Sequence, residues 1–303
     1  MKSISLRKSE EHTATFQVQL IYEMRIKEVK RLLEKEFKIS DLGKLSYFLG
    51  MEITYAEHGI YVSQKRYLLN LLKKFNMENC REASTPLEVN HKLSKYDGEE
   101  FKDMRKYQSL VGSLIYATLT RPDLSYAMGI AGQRVLRYIK STLKEGLYYL
   151  FTSDTRLRAY SDSDWAGSQD DRRSTHGYMI YIGDKLVSWC SKKQHTVALS
   201  STEAEYKGLV EGAKEVIWMQ TLFKSLDIDQ GIPIIHGDNM SLLYPAANPI
   251  QYHLLREKVM EKELEVVYTS TKDEIADIMT KSLDGVNTSR FKEMAGIKEK
   301  KIT

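Results

Sequence analysis

Ser200-Ser201-Thr202-Glu203-Ala204-Glu205-Tyr206 opens the longest helically periodic stretch of the chain, which runs from Glu203 to Leu226. Tyr206, Leu209, Val210, Ala213, Val216, Ile217 and Met219 recur at helical spacing and make one apolar face. Ser200, Ser201 and Thr202 each offer a capping hydroxyl, and Thr202 with Glu205 has the spacing of a capping box. On the N-terminal side of this helix, Leu157–Asp162 and Gly177–Ile182 alternate as half-buried strands do, and Lys185–Ser191 continues as a third. Asp170-Asp171-Arg172-Arg173 makes a charged turn in that meander. On its C-terminal side, Ile232–His236 and Leu264–Tyr268 are short apolar runs that suit buried strands. Meander, long helix, strand, helix and strand in that order predict an α/β fold built on one mixed sheet.

Four carboxylates sit at the ends or edges of these elements: Asp162, Glu205, Asp238 and Asp277. Brought into one cleft, they cannot all stay ionised without a compensating cation. Hard oxygen ligands select Mg²⁺ or Mn²⁺. Two such ions in one site support in-line cleavage of a phosphodiester. The chain has 41 Asp and Glu, so spacing alone suits a solvated surface as well. The sequence around each carboxylate decides.

Asp162-Ser163-Asp164-Trp165-Ala166-Gly167, Leu199-Ser200-Ser201-Thr202-Glu203-Ala204-Glu205-Tyr206, His236-Gly237-Asp238-Asn239 and Ile275-Ala276-Asp277-Ile278-Met279-Thr280-Lys281 carry a resemblance. In order, they resemble the four active-site segments of the ribonuclease H domain of copia-type retrotransposon Pol polyproteins. The resemblance covers residues 157 to 285. It implies a ribonuclease H-like mixed five-stranded sheet with flanking helices. It also implies that Asp162, Glu205, Asp238 and Asp277 are catalytic and hold two Mg²⁺ or Mn²⁺ ions. The implied reaction is endonucleolytic hydrolysis of the RNA strand of RNA–DNA hybrids. Asp164 would share a strand face with Asp162, but the Tyr160-Ser161-Asp162 context matches the family position. Selecting RNA requires a reader of the 2′-hydroxyl and of hybrid shape. Arg172, Arg173, Ser174, Thr175, Lys192, Lys193, Gln194 and His195 are the polar and basic candidates. At Ala247–Arg256 the chain joins pieces between which the family carries a longer segment with a Thr-Lys-His-Ile-Asp string. That departure keeps an alternative open: a catalytically inactive nucleic-acid-binding or decayed retroelement fragment.

In the first half, Ile26, Val29, Leu32, Leu33 and Phe37 predict an amphipathic helix over Met24–Phe37, broken at Asp41-Leu42-Gly43. Strands are predicted at Tyr47–Ile53 and Gly59–Ser63, turning at Glu57-His58-Gly59. Helices are predicted at Gln64–Phe75 and Tyr107–Leu119, with an exposed loop over 81–103. Arg121-Pro122-Asp123 caps a further helix with proline in its first turn. Lys38-Ile39-Ser40-Asp41-Leu42-Gly43-Lys44-Leu45-Ser46-Tyr47-Phe48-Leu49-Gly50, Tyr107–Tyr116 and Thr120-Arg121-Pro122-Asp123-Leu124-Ser125-Tyr126 resemble the palm end, thumb and connection of a copia-type reverse transcriptase. The family polymerase needs a Tyr-x-Asp-Asp turn upstream of this point, whereas the first aspartate here is Asp41. Past Met128 the chain also reaches Arg134–Lys140 sooner than the family does. The expected organisation is a truncated, α+β reverse-transcriptase remnant without polymerase activity over 1–150. A ribonuclease H-like domain over 151–285 and a charged C-terminal tail over 286–303 follow.

Composition is that of a globular protein, with 42% hydrophobic and 28% charged residues in 303. A net charge of +4 is mild and does not by itself announce a nucleic-acid binder. Cys80 and Cys190 form no Cys-x-x-Cys pair, which speaks against a zinc site and a disulfide framework. No apolar run approaches the ~20 residues needed to span a bilayer, and the N-terminus lacks a signal-peptide core. An intracellular setting, cytoplasmic or nuclear, with no membrane partner is expected.

Overall fold

The computed structural model describes residues 43–89, 103–130, 132–152, 154–239 and 253–300, with positions 27, 30, 31, 33–38 and 40 ahead of them. Much of the helix expected over Met24–Phe37, the break at Asp41-Leu42, most of the 81–103 loop and the junction at 247–252 lie outside the described residues.

Strands β1 (Tyr47–Phe48), β2 (Met51–Ala56) and β3 (Gly59–Ser63) form a meander whose second turn is Glu57-His58. Helix α1 (Lys65–Lys74) follows, then α2 (Met104–Ala117), whose N-cap Asp103 accepts from Lys106 N at 3.0 Å. Arg121-Pro122-Asp123 opens a 3₁₀ turn at Pro122–Leu124 in place of the expected helix. Helix α3 (Gln133–Ser141) leads into β4 (Glu145–Leu150), which pairs with β3. Leu68, Leu72, Leu114, Leu136, Tyr138 and Ile139 close a first core between α1, α2 and α3.

The second half runs β5 (Leu157–Asp164), β6 (Thr175–Ile182), β7 (Lys185–Lys193), α4 (Ser201–Ser225), β8 (Ile234–Gly237), α5 (His253–Met260) and β9 (Glu265–Tyr268). Its sheet has the order β7-β6-β5-β8-β9. The pairs β5–β6 and β6–β7 are antiparallel, while β5–β8 and β8–β9 are parallel. This is the mixed five-stranded sheet that the resemblance implied. Alternation along the strands sorts the residues by face. Leu157, Ala159, Ile180 and Ile235 meet Leu209, Ala213 and Val216 of α4, while Met179 and Tyr181 turn to the other face.

That other face is covered by a 3₁₀ turn, Ile275–Met279, and by residues expected to be a charged tail. Helix α6 (Gly285–Met294) brings in Phe291, and β10 (Ile297–Glu299) pairs with β4, Ile297 opposite Leu147. The first sheet therefore has the order β1-β2-β3-β4-β10, and its last strand comes from beyond the second sheet. Charged residues hide this short apolar pattern from a sequence reading: among the described residues there, only Phe291, Ala295 and Ile297 are buried hydrophobics. No helix among the described residues is long and apolar enough to cross a membrane.

Candidate functional site

Strands β5 and β8 run side by side and parallel, with Tyr160 opposite His236. Asp162 lies two residues further along β5, and Asp238 follows the last residue of β8. Glu205 enters from the first turns of α4. One carboxylate oxygen from each of Asp162, Glu205 and Asp238 lies within 4.8 Å of the other two. Close packing of α4 on β5 makes this possible. A Cβ at Gly208 would sit 2.4 Å from Ser163 Oγ and 3.4 Å from the Asp162 carbonyl oxygen, so only glycine lets the helix lie this near.

The helix start leaves Glu205 free for the site. Ser200 is the cap, its Oγ accepting from Glu203 N at 3.1 Å, and the Glu203 carboxylate accepts from Leu199 N at 2.8 Å. The cap thus falls on Ser200, with Glu203 bonding back to the residue before it, two positions earlier than the Thr202 and Glu205 pair. Glu205 Oε2 is buried with no hydrogen-bond partner among the described residues. Burial first, then repulsion from Asp162 and Asp238, pushes its carboxyl up to about 9.

Asp277 belongs to the 3₁₀ turn rather than to a regular helix, and it stands outside the three-oxygen cluster. Lys281 links it to that cluster. The Lys281 ammonium donates to Asp277 Oδ1 at 2.7 Å and to Asp162 Oδ1 at 3.1 Å. Burial and the Asp162 charge raise the Asp277 carboxyl to about 6, against the pull of Lys281. Burial alone would lower Lys281, but Asp162 and Asp277 outweigh it and hold the ammonium above the usual lysine range. Asp162 is fully buried, and Thr280 Oγ1 donates to its other carboxylate oxygen. Thr271 Oγ1 donates to Asp238 Oδ2 at 3.1 Å.

Two groups here were not singled out from sequence. Lys281 stands one helical turn past Asp277, and only that spacing could have flagged it. Glu274 caps the turn, its Oε1 accepting from Ala276 N at 3.1 Å, while Oε2 is buried and unpartnered among the described residues. Burial, with the charges of Asp162, Asp238 and Asp277, raises its carboxyl well above the usual range. Asp164 points elsewhere: a Cβ on Gly167 would sit 1.7 Å from Asp164 Oδ2, so this carboxylate folds over the turn that follows β5.

The candidate substrate readers divide by exposure. Arg172, Lys192 and His195 are exposed, and Thr175 is half-buried at the start of β6. Arg173 and Lys193 both pair with Asp171, at 3.3 and 3.0 Å. Ser174 and Gln194 are buried and brace the scaffold. Ser174 Oγ accepts from Ala166 N at 3.1 Å, and Gln194 Nε2 donates to Ala204 O at 2.8 Å.

The family model described as reverse transcriptase (RNA-dependent DNA polymerase) matches residues 21–89. The chain is 38% identical over 290 residues to the retrovirus-related Pol polyprotein from transposon RE1 of Arabidopsis thaliana, covering 88% of this chain and 20% of that one. It is 40% identical over 201 residues to an uncharacterised mitochondrial protein of the same plant, covering 61% of this chain and 83% of the relative. The chain spans about a fifth of the length of the Pol polyproteins it matches. Among solved structures, LC11-RNase H1 in complex with RNA/DNA hybrid is similar at a TM-score of 0.31 and 14% identity, covering 41% of this chain and 94% of that one. At so low a score, the strand order given above speaks for the fold and the likeness adds nothing to it.

Proposed function

Because the chain belongs to the copia-type retrotransposon Pol polyprotein family, we propose that its second half hydrolyses the RNA strand of RNA–DNA hybrids with divalent metal ions. The observation that carries this reading is the meeting of Asp162, Glu205 and Asp238 oxygens within 4.8 Å. The donor set fits Mg²⁺ or Mn²⁺, being made of hard carboxylate oxygens. The buried, unpartnered Glu205 Oε2 is the acceptor that such an ion would satisfy.

In this reading Asp162, Glu205 and Asp238 hold the first ion, and Asp277 with Asp162 serves the second. Bound divalent metal supplies an activated water and neutralises charge on the leaving oxygen. The protein's own residues do the rest. Thr280 and Thr271 orient the Asp162 and Asp238 carboxylates by hydrogen bonds. Lys281 supplies a positive counter-charge to Asp162 and Asp277. Arg172, Lys192 and His195, exposed beside the meander, are available to a nucleic-acid backbone.

One observation favours a second reading, a hybrid-binding fragment without turnover. The Lys281 ammonium pairs with both Asp162 and Asp277, two of the carboxylates that would hold metal. Cleavage of a labelled RNA–DNA hybrid in Mg²⁺ separates the two. The wild type should cut the RNA strand, and Asp171→Asn on the turn should cut equally well. Asp238→Asn should lose about a hundredfold or more while its thermal midpoint gains less from Mg²⁺ than that of the wild type. Hybrid retained without cleavage by the wild type supports the second reading. Equal Mg²⁺ stabilisation of all three proteins would mean that the Asp162, Glu205 and Asp238 cluster does not bind the ion.

A further inference from the structure

The geometry points to Lys281 as a built-in countercation that competes with divalent metal for Asp162 and Asp277. The site then takes its first ion at Asp162, Glu205 and Asp238, and a second only as the ammonium withdraws. This rests on the metal reading above and adds to it the order of loading and the residue that sets it.

One ammonium is shared by two carboxylates that belong to different elements, β5 and the 275–279 turn. The acids are the fixed partners: their side chains are 1% and 11% exposed, whereas that of Lys281 is 36% exposed. A lysine stem is flexible and its head is strongly hydrated, so Lys281 can leave toward water where the aspartates cannot. The backbone of Lys281 is meanwhile held, its N–H donating to Asp277 O at 2.9 Å. Withdrawal is therefore a side-chain movement about a fixed root. A divalent ion and an ammonium on the same carboxylate oxygens repel at close range, so their occupancies exclude each other. Among the described residues the Lys281 ammonium is hydrogen-bonded to Asp162 and Asp277 and not to Glu205 or Asp238. The first ion would share one of its three carboxylates, Asp162, with the ammonium, whereas the second would share both of its two, so the first meets less competition. Lys281 is in this sense a positioning residue that acts through metal occupancy.

The test is calorimetric titration of the full chain with Mn²⁺, in the wild type and in Lys281→Met, Lys281→Gln and Lys281→Arg, with far-ultraviolet circular dichroism to confirm folding of each. Two neutral variants guard against one that fails to fold. Lys281→Met and Lys281→Gln should bind Mn²⁺ about tenfold more tightly or gain a second binding event, because a like charge has left the site. Lys281→Arg, which keeps the charge, should titrate as the wild type does. Unchanged affinity and stoichiometry in the neutral variants would overturn the role of Lys281 and leave the metal site standing. No Mn²⁺ binding by any of the four proteins would overturn the metal reading and this inference with it.

Discussion

At Glu205 burial and like charge act together. Its carboxyl is raised from 4.5 to about 9 in the folded chain, and Asp277 moves the same way, to about 6. Between the ordinary carboxyl range and pH 9, the unfolded metal-free chain releases the Glu205 proton and the folded chain keeps it. The folded state then binds more protons, so stability falls as pH rises through that window. Lys281, held above its ordinary 10.5, adds no slope there because it is charged in both states. Urea midpoints in EDTA should therefore drop from pH 5 to pH 8.5. Glu205→Gln should flatten that drop and stabilise the metal-free protein by about 1–3 kcal/mol near pH 8. Parallel pH profiles for both proteins would sink the account. At this scale the sequence was informative where a carboxylate stood inside a distinctive string, as at Asp162, Glu205 and Asp238. Lys281 went unremarked because a lone lysine is usually solvated, and nothing local says that two acids will close on it. The capping frame lies two positions earlier than expected for a similar reason: two hydroxyl–glutamate pairs, Ser200 with Glu203 and Thr202 with Glu205, share one spacing.

Among the elements, the turn at Ile275–Met279 decides whether Thr280 and Lys281 reach Asp162 at all. It lies against Gly177, the residue paired with Asp162 across β5 and β6. A Cβ at Gly177 would sit 2.3 Å from Met279 Cβ and 3.1 Å from Thr280 Cγ2. Gly177→Ala should thus push the turn off the sheet, at a cost of about 1–3 kcal/mol, and lower hybrid cleavage with it. Gly112→Ala is the control, since a Cβ there meets nothing within 4 Å inside helix α2. It should raise the thermal midpoint slightly, by about 0.5–1 kcal/mol of stability, and leave cleavage unchanged. A Gly177→Ala protein as stable and as active as the wild type would show that the turn is not seated as described. Strands β5, β6 and β7 and helix α4 were legible because each carries a sustained period of its own. Strands β4 and β10 were not. Ile297–Glu299 is three residues long, and what makes it a strand is pairing with β4 far upstream, a cause no local window contains.

The two halves are joined by a largely buried ionic network. Arg121, fully buried, donates from Nε and Nη2 to Asp123 at 2.9 and 2.6 Å, and from Nη1 and Nη2 to Thr142 at 3.1 and 2.8 Å. Tyr138 donates to the same Asp123 at 2.7 Å, and Glu145 stands 3.6 Å from Arg121. Lys292 of α6 reaches Glu145 at 2.7 and 2.8 Å. Charge contact therefore runs from the connection of the first half through β4 to α6. From there β10 returns to the first sheet, and Phe291 and Ile297 share a core with Met179 and Tyr181 of the second. Trp189 adds a direct link, its Nε1 donating to Thr118 O at 3.2 Å. Such coupling predicts one calorimetric unfolding transition for both sheets. Asp123→Asn leaves a buried guanidinium short of its counter-charge and should cost about 3–5 kcal/mol. Replacing both partners, Arg121→Met with Asp123→Leu, should cost clearly less than the single change, because no uncompensated charge remains. In each variant the whole transition should move together. Two separate transitions, of which only the one belonging to residues 43–150 responds to Asp123→Asn, would show that the halves are independent bodies and that the network stabilises only its own side.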